Sequence, residues 1–392
     1  MSVTLVDGFV AAGIHCGVKA SGDPDLALVA TADGEPVAAA GVFTRNRMIA
    51  APVVVSRRHL ASSNGQAAAI VLNSGCANAA TGEQGLADAA QMCAVTGGVI
   101  GCSPDEVLVC STGLIGYSLP MKAIESGIPA VAAGLSSDGG GAAADAIRTT
   151  DTVVKEAAAT GTATAGAIFT VGAMAKGAAM LEPNMATMLA VLTTDAEAEP
   201  VQLTAALQAA VAASFNRLTV DGAESTNDTV LVLAAGGAGP AGVDALTSAF
   251  TTVCRDLALQ MADDAEGSTK TVVIAVVGAT DDSEAAKVAR DLANNQLIKC
   301  SWYGKDPYWG RLAAEAGASA PSFEESTLSI SYGDHLVYAA GAEAAVDRDA
   351  LTAYMQGRRL DLTIDLGQGP GSAEIITTDL SHAYIDENMG TS

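Results

Sequence analysis

The stretch MAKGAAMLEPNMATMLAVLTTDA, residues 174–196, carries the reading from which fold and chemistry are worked out. It joins a Lys-Gly turn (Lys176, Gly177) to Met-Leu-Glu-Pro, then to Thr187, which opens an apolar run through Leu192. Such a run of aliphatic residues reads as a buried strand. A Thr hydroxyl is a poor nucleophile by itself, but at a chain N-terminus its own α-amine serves as base. An unperturbed α-amine titrates at about pH 7.7–8.0, so it can hold and return a proton at neutral pH. That use requires cleavage of the Ala186–Thr187 bond. The small Ala186 lets Thr187 Oγ reach the Ala186 carbonyl for an N-to-O acyl shift, after which water hydrolyses the ester. On residue type alone, Thr187 as one more β-branched strand residue is the commoner outcome, and both readings stand at this point.

On either side of this stretch, short β-type runs alternate with helical periods. Strand-like runs occupy 67–72, 106–110, 187–192, 229–233 and 271–277, and a further set covers 328–331, 360–364 and 373–377. Between 243 and 261, Val243, Leu246, Phe250, Val253, Leu257 and Met261 recur at three- and four-residue steps, which puts them on one helix face. Gly267 is placed to cap that helix. Helical patterns also fit 201–214 and 283–298, and 138–144 reads as a loop leading into a short helix. Strands and helices in alternation favour layered α/β architecture.

With 392 residues the chain is long for one core, which predicts two domains or two large lobes. Ala and Gly are prominent and aromatics make up 4%, as in tightly packed α/β layers. Forty-four acidic residues against 20 basic ones give a net charge of −24, which repels phosphate backbones and anionic lipid. Nucleic-acid and membrane partners are therefore not expected. No run of about 18 apolar residues occurs, and the N-terminus lacks the basic start of a signal peptide. The cysteines at 16, 76, 93, 102, 110, 254 and 300 form no C-x-x-C pair, the usage of a reducing cytoplasm. Histidines at 15, 59, 335 and 382 give no metal spacing.

One motif misleads. Gly237–Gly242 (GAGPAG) matches the G-x-G-x-x-G dinucleotide fingerprint. Pro240 inside it, and the lack of a following βαβ unit with an acidic ribose ligand, favour an ordinary strand-to-helix turn. No G-x-x-x-x-G-K-[ST], H-E-x-x-H or G-x-S-x-G is present, and no histidine neighbours a Ser or Cys motif. What remains is a nucleophile that needs no histidine.

Motifs along nearly the whole chain then point one way. They are GVFTRNR (41–47), VLNSGCANAATG (71–82), STGLIG (111–116), RTTDT (148–152) and the AKG…MLEPNMATML segment (175–189). VDGAESTNDT (220–229), DAEGSTK (264–270), DPYWGR (306–311) and TTDLSHAYIDEN (377–388) complete the series. In order and spacing the chain resembles the ornithine acetyltransferases, the bifunctional glutamate N-acetyltransferases of arginine biosynthesis. The resemblance implies a layered α/β fold of the ornithine acetyltransferase type, self-cleaved into two intertwined chains, 1–186 (α) and 187–392 (β). It also implies assembly into α2β2 or larger, a cytoplasmic location, and neither cofactor nor metal.

The same resemblance assigns roles. Thr187 is the nucleophile, acylated during turnover, and Thr112 with Gly113 form the oxyanion hole. Lys176 binds substrate carboxylate, and Glu266 pairs with the δ-ammonium of ornithine or orients the α-amine. Thr150 is assigned to substrate, with Thr149 and Thr152 as close alternatives, and Asn388 and Ser392 of the tail contact it. The implied reaction is ping-pong: Thr187 takes acetyl from N2-acetylornithine, ornithine leaves, and glutamate accepts. Some members also accept acetyl-CoA. Several positions depart from the family pattern: Ala178-Ala179 after Gly177, Cys76 and Tyr308 each in place of Asn, Ala223-Glu224, and a tail shorter by one residue. The alternatives are a paralogue acting on another acyl-amino acid and an aminopeptidase in which water resolves the acyl-enzyme. A nucleotide binder using the 237–242 loop is a third.

Overall fold

The computed structural model describes residues 2–182, 188–320 and 323–390. The chain divides into two compact units, one formed by 1–216 with 223–261 and the other by 217–222 with 262–392. Position 186/187 falls inside the first unit, so the two expected fragments are not the two compact units.

In chain order the strands of the first unit are β1 (Phe9–Ile14), β2 (Leu26–Thr31), β3 (Val37–Phe43), β4 (Gln66–Ala67) and β5 (Ala69–Cys76). They continue with β6 (Val107–Leu114), β7 (Lys155–Thr162), β8 (Ile168–Lys176), β9 (Leu189–Glu197) and β10 (Thr229–Pro240). Its helices are α1 (Ala51–Ser62), α2 (Gly82–Ile100), α3 (Met121–Ala133), α4 (Gly140–Ala146), α5 (Pro200–Ala213) and most of α6 (Val243–Asp263). One sheet has the order β1-β2-β5-β6 and the other β4-β3-β10-β9-β8-β7. Two neighbouring pairs, β5/β6 and β9/β10, are parallel and are joined through α2 and α5, as a parallel pair requires.

Period-2 alternation explains the layers. Ala27 and Val29 of β2, with Ile70, Leu72 and Leu108, face Met174, Leu189, Val191, Leu231 and Leu233 of the second sheet in one core. The alternate residues Leu26, Leu28, Val71, Val107 and Val109 pack on Met92, Ile124, Ile128 and Val131 of α2 and α3. A strand buried on both faces has no polar alternation to display, which is why these runs look continuously apolar. Among the described residues, α5 packs on β3, and Gln260 of α6 exchanges hydrogen bonds with the Glu156 backbone of β7. The result is a helix–sheet–sheet–helix stack.

The second unit has β11 (Thr271–Ala279), β12 (Ser329–Tyr332), β13 (His335–Ala339), β14 (Ala342–Glu343), β15 (Arg359–Asp365) and β16 (Gly371–Thr378), ordered β14-β13-β12-β15-β11-β16. Its helices are α7 (Asp282–Asn294), α8 (Gln296–Tyr303), α9 (Trp309–Ser319), α10 (Arg348–Gln356) and α11 (His382–Glu387). Val272, Ile274, Ile330, Leu362 and Ile364 of the sheet pack with Val288, Leu292 and Trp302. Among the described residues no helix is long and apolar enough to cross a membrane.

Four expectations change. The helix read over 283–298 is two helices, because the Asn295 side chain accepts from Leu297 and Ile298 N–H and starts α8 afresh. Gly267 does not cap α6, which ends at Asp263. Its φ is +61°, and a Cβ there would lie 2.2 Å from Tyr384 N, so it is a close-approach glycine. Residues 237–240 of the fingerprint form no turn, since β10 runs on to Pro240, pairing Gly239 with Ala196 past a bulge. Lys176 is not in a turn but ends β8, opposite Leu189.

Candidate active site

Buried polar residues of the first unit form clusters around the ends of β5, β6 and β8 and just ahead of β7 and β10. Thr112 and Gly113 lie within β6 rather than after it, beside Ser74 and Gly75 of β5, where the register slips around Cys76. Gly113 adopts φ +126°, and a Cβ on it would fall 2.3 Å from the Gly75 carbonyl carbon. No L side chain fits that backbone. Thr112 is buried. The preceding residue, Ser111, is tied across the unit: Asn227 Nδ2 donates to the Ser111 carbonyl at 2.9 Å and to the Ala77 carbonyl at 2.6 Å. Next to Asn227, the fully buried Asp228 accepts the Met188 N–H on Oδ1 at 2.9 Å. Two adjacent residues ahead of β10 therefore hold both the Thr-Gly strand end and the residue that follows Thr187.

A second cluster surrounds Asp151. Lys155 Nζ donates to its Oδ1 at 2.7 Å, as does Gly177 N–H at 2.7 Å, and Thr149 N–H donates to Oδ2 at 3.1 Å. Lys176 Nζ lies 3.8 Å from Oδ2 and donates to Thr149 Oγ1 at 2.6 Å. Lys176 is only 2% exposed, so it is not a solvated surface lysine. Burial by itself raises the Asp151 carboxyl, but the Lys176 and Lys155 ammonium groups outweigh it and hold it well below the usual carboxylate range. Asp228 behaves in the opposite way: burial pushes its carboxyl well above that range, against the Met188 N–H that favours the charged form. Burial and neighbouring charge thus shift the two carboxyls in opposite directions within the same unit.

Of the assigned residues, Lys176 is joined to Thr149 rather than to Thr150, which is exposed. In the second unit, Asn388 Nδ2 donates to Glu266 Oε2 at 2.8 Å, and Glu266 is half-buried. Beside them Tyr384, whose hydroxyl lies 3.4 Å from Asp221 Oδ2, is pushed up to about 12 by burial and by the nearby Asp221 and Glu266 charges. Ala186, Thr187 and Ser392 lie outside the described residues. The departures at Ala178 and Ala179 take ordinary backbone; the left-handed residue of that segment is Met180, at φ +55°. Cys76 is buried, its Sγ 3.3 Å from the Tyr117 carbonyl and its thiol pushed up by burial. Asp151 and Asp228 are residues that sequence reasoning missed, although they sit inside RTTDT (148–152) and VDGAESTNDT (220–229). Nothing in residue type marks them, because their role depends on burial. Among the described residues no group of three or more His, Cys, Asp or Glu is arranged to hold a metal ion.

Two sheets face to face between helices, with polar clusters buried near strand ends, define a layered α/β protein. The particular family follows from comparison with known proteins. The ArgJ family model matches residues 10–390, and the chain belongs to that family. It is 45% identical over 393 residues to the arginine biosynthesis bifunctional protein ArgJ of Thermobifida fusca, covering 100% of both chains. Its identity to the protein of the same name from Mycolicibacterium paratuberculosis is 46% over 401 residues, covering 100% of this chain and 96% of that one. A solved ornithine acetyltransferase of Mycobacterium tuberculosis, complexed with ornithine, is 40% identical over 46% of this chain and 94% of its own, with a TM-score of 0.41.

Proposed function

We infer that this chain is the acyltransferase of arginine biosynthesis that moves an acetyl group from N2-acetylornithine to glutamate through an acetyl-Thr187 intermediate. The observation that carries this reading is family membership over essentially the whole chain, with the Met-Ala-Thr-Met segment intact. In maturation Thr187 Oγ attacks the Ala186 carbonyl carbon, the C–N bond to Thr187 breaks, and water hydrolyses the resulting ester. This leaves chains 1–186 and 187–392. In turnover the freed α-amine takes the hydroxyl proton as Oγ attacks the acetyl carbonyl. The Thr112 hydroxyl and Gly113 N–H receive the oxyanion, each such donor typically being worth about 2.7–4 kcal/mol. The acetyl C–N bond breaks and ornithine leaves with the proton; the glutamate α-amine then attacks the ester carbonyl carbon, the bond to Thr187 Oγ breaks, and the proton lost by the amine returns to Oγ through the Thr187 α-amine. Lys176 takes substrate carboxylate, Thr150 or a neighbour (Thr149 or Thr152) assists, Glu266 pairs with the δ-ammonium of ornithine or orients the α-amine, and Asn388 and Ser392 of the tail contact substrate. Splitting one transfer into two covalent halves requires no cofactor. The reading also includes a cytoplasmic location and assembly of the cleaved chains into α2β2 or larger.

Intact mass by denaturing mass spectrometry tests the first step. Wild type is expected as two fragments, the second beginning at Thr187, and Thr187→Ala as one whole chain. Acetylornithine plus glutamate should then yield acetylglutamate far faster than acetylornithine plus water yields acetate. Faster hydrolysis would make the protein a peptidase-like enzyme instead.

A further inference from the structure

The connection from β8 to β9, residues 177–188, is closed at its base by the Lys176–Leu189 pair. Both ends of this connection are fastened to buried carboxyl groups from elsewhere in the chain. Gly177 N–H donates to Asp151, 26 residues away, and Met188 N–H to Asp228, 40 residues away. Burying a carboxyl is costly unless it is paired or hydrogen-bonded; Asp151 also accepts from Lys155 and Thr149, and Asp228 from the Ser225 side chain. What burial supplies is an acceptor locked in place by packing. Met188 N is the atom bonded to the Thr187 carbonyl carbon, so the Asp228 anchor sits one peptide from the proposed nucleophile. Through Asn227 the same two-residue segment holds the carbonyl of Ser111, immediately before Thr112.

We propose that Asp228, with Asp151 at the opposite end, is a positioning residue that holds the Met188 end of this connection, while its neighbour Asn227 holds the strand that carries Thr112 and Gly113. This fixes where Thr187 Oγ can attack, first on the Ala186 carbonyl carbon and later on the acetyl carbonyl. The inference rests on the reading of Thr187 as nucleophile. In the first attack the Oγ–C bond forms as the C–N bond breaks, and the hydroxyl proton passes to the released amine. Reacting atoms must start about 3–3.5 Å apart, and a displacement of about 1 Å costs on the order of 100-fold.

The test uses four full-length chains: wild type, Thr187→Ala, Asp228→Asn and Asp228→Leu. Asparagine keeps the acceptor for Met188 N–H; leucine keeps the volume and removes it. Cleavage is followed by intact mass over time, with circular dichroism and gel filtration reporting the fold. The asparagine chain should cleave within about threefold of wild type, and the folded leucine chain roughly 100-fold more slowly. Once cleaved, the leucine chain should show a similar loss in kcat with KM for acetylornithine nearly unchanged, a split that loosened packing alone would not produce. If the leucine chain does not fold, Asp228→Ser, too short to reach Met188, takes its place. A folded leucine or serine chain that cleaves at the wild-type rate overturns the proposal, and so does a folded asparagine chain that stays whole. Cleavage of Thr187→Ala would overturn the nucleophile reading instead, which keeps the two failures distinct.

Discussion

Asp228 holds its proton in the folded chain at a pH where the unfolded chain has lost it, and this has a measurable consequence for stability. The carboxyl is fully buried, with Lys176 and Glu224 as the charges acting on it, and burial dominates. As pH rises past about 4, the unfolded chain releases this proton first. Between that value and the folded one, stability falls by about 1.4 kcal/mol per pH unit from this group, and above the folded value the loss is constant. Asparagine cannot titrate, so Asp228→Asn should gain on its parent as pH goes from 4 to 7. Thermal unfolding of both in the Thr187→Ala background, where the chain stays whole, gives the comparison; a difference that does not change with pH would rule out a neutral Asp228. Asp151 has the reverse sign, its stabilisation being present above about pH 4 and lost as pH falls toward its depressed folded value. The sequence made Lys176 legible as a functional residue but not its burial. That depends on Thr149 and Asp151, which reach it only through the tertiary fold.

At the scale of elements, β-type runs were legible where side chains are aliphatic and became illegible where the backbone carries the pairing. The run read as 229–233 extends to Pro240 because Ala, Gly and Pro residues continue beside β9 past a bulge. The period of α6 was read correctly because its face is strictly apolar, with Leu246, Phe250, Val253, Leu257 and Met261 all fully buried. The reading of 283–298 failed because a capping asparagine interrupts the chain without interrupting the apolar pattern. Sheet order has the largest functional consequence. Across β4-β3-β10-β9-β8-β7, the two strands that follow residue 187 are central, flanked on each side by two that precede it. Cleavage in the β8–β9 connection leaves every one of these pairings in place. The two fragments should therefore elute together in native gel filtration and separate only in denaturant; separation in dilute buffer alone would contradict the sheet order.

For the whole molecule, the two-lobed expectation from length holds as two compact units, although neither coincides with a cleavage fragment. A net charge of −24 makes each folded chain repel itself. Added salt screens exposed charges with a Debye length of about 10 Å at 0.1 M and 3 Å at 1 M. Raising sodium chloride from 10 mM to 0.5 M should then raise the unfolding temperature by on the order of 2–4 °C, the shift expected for about 1 kcal/mol; no change would mean the acidic residues are already paired or well separated. With the cleavage proposed at Ala186–Thr187, the interleaved sheet also gives the mature protein an asymmetric history. The first folding is unimolecular, since one continuous chain brings β8 beside β9 through a short connection. After the bond is cut, any refolding from denaturant must reunite two separate molecules, so its rate and yield depend on protein concentration. Maturation thus turns a fold that one chain can regain alone into one that two chains must find together.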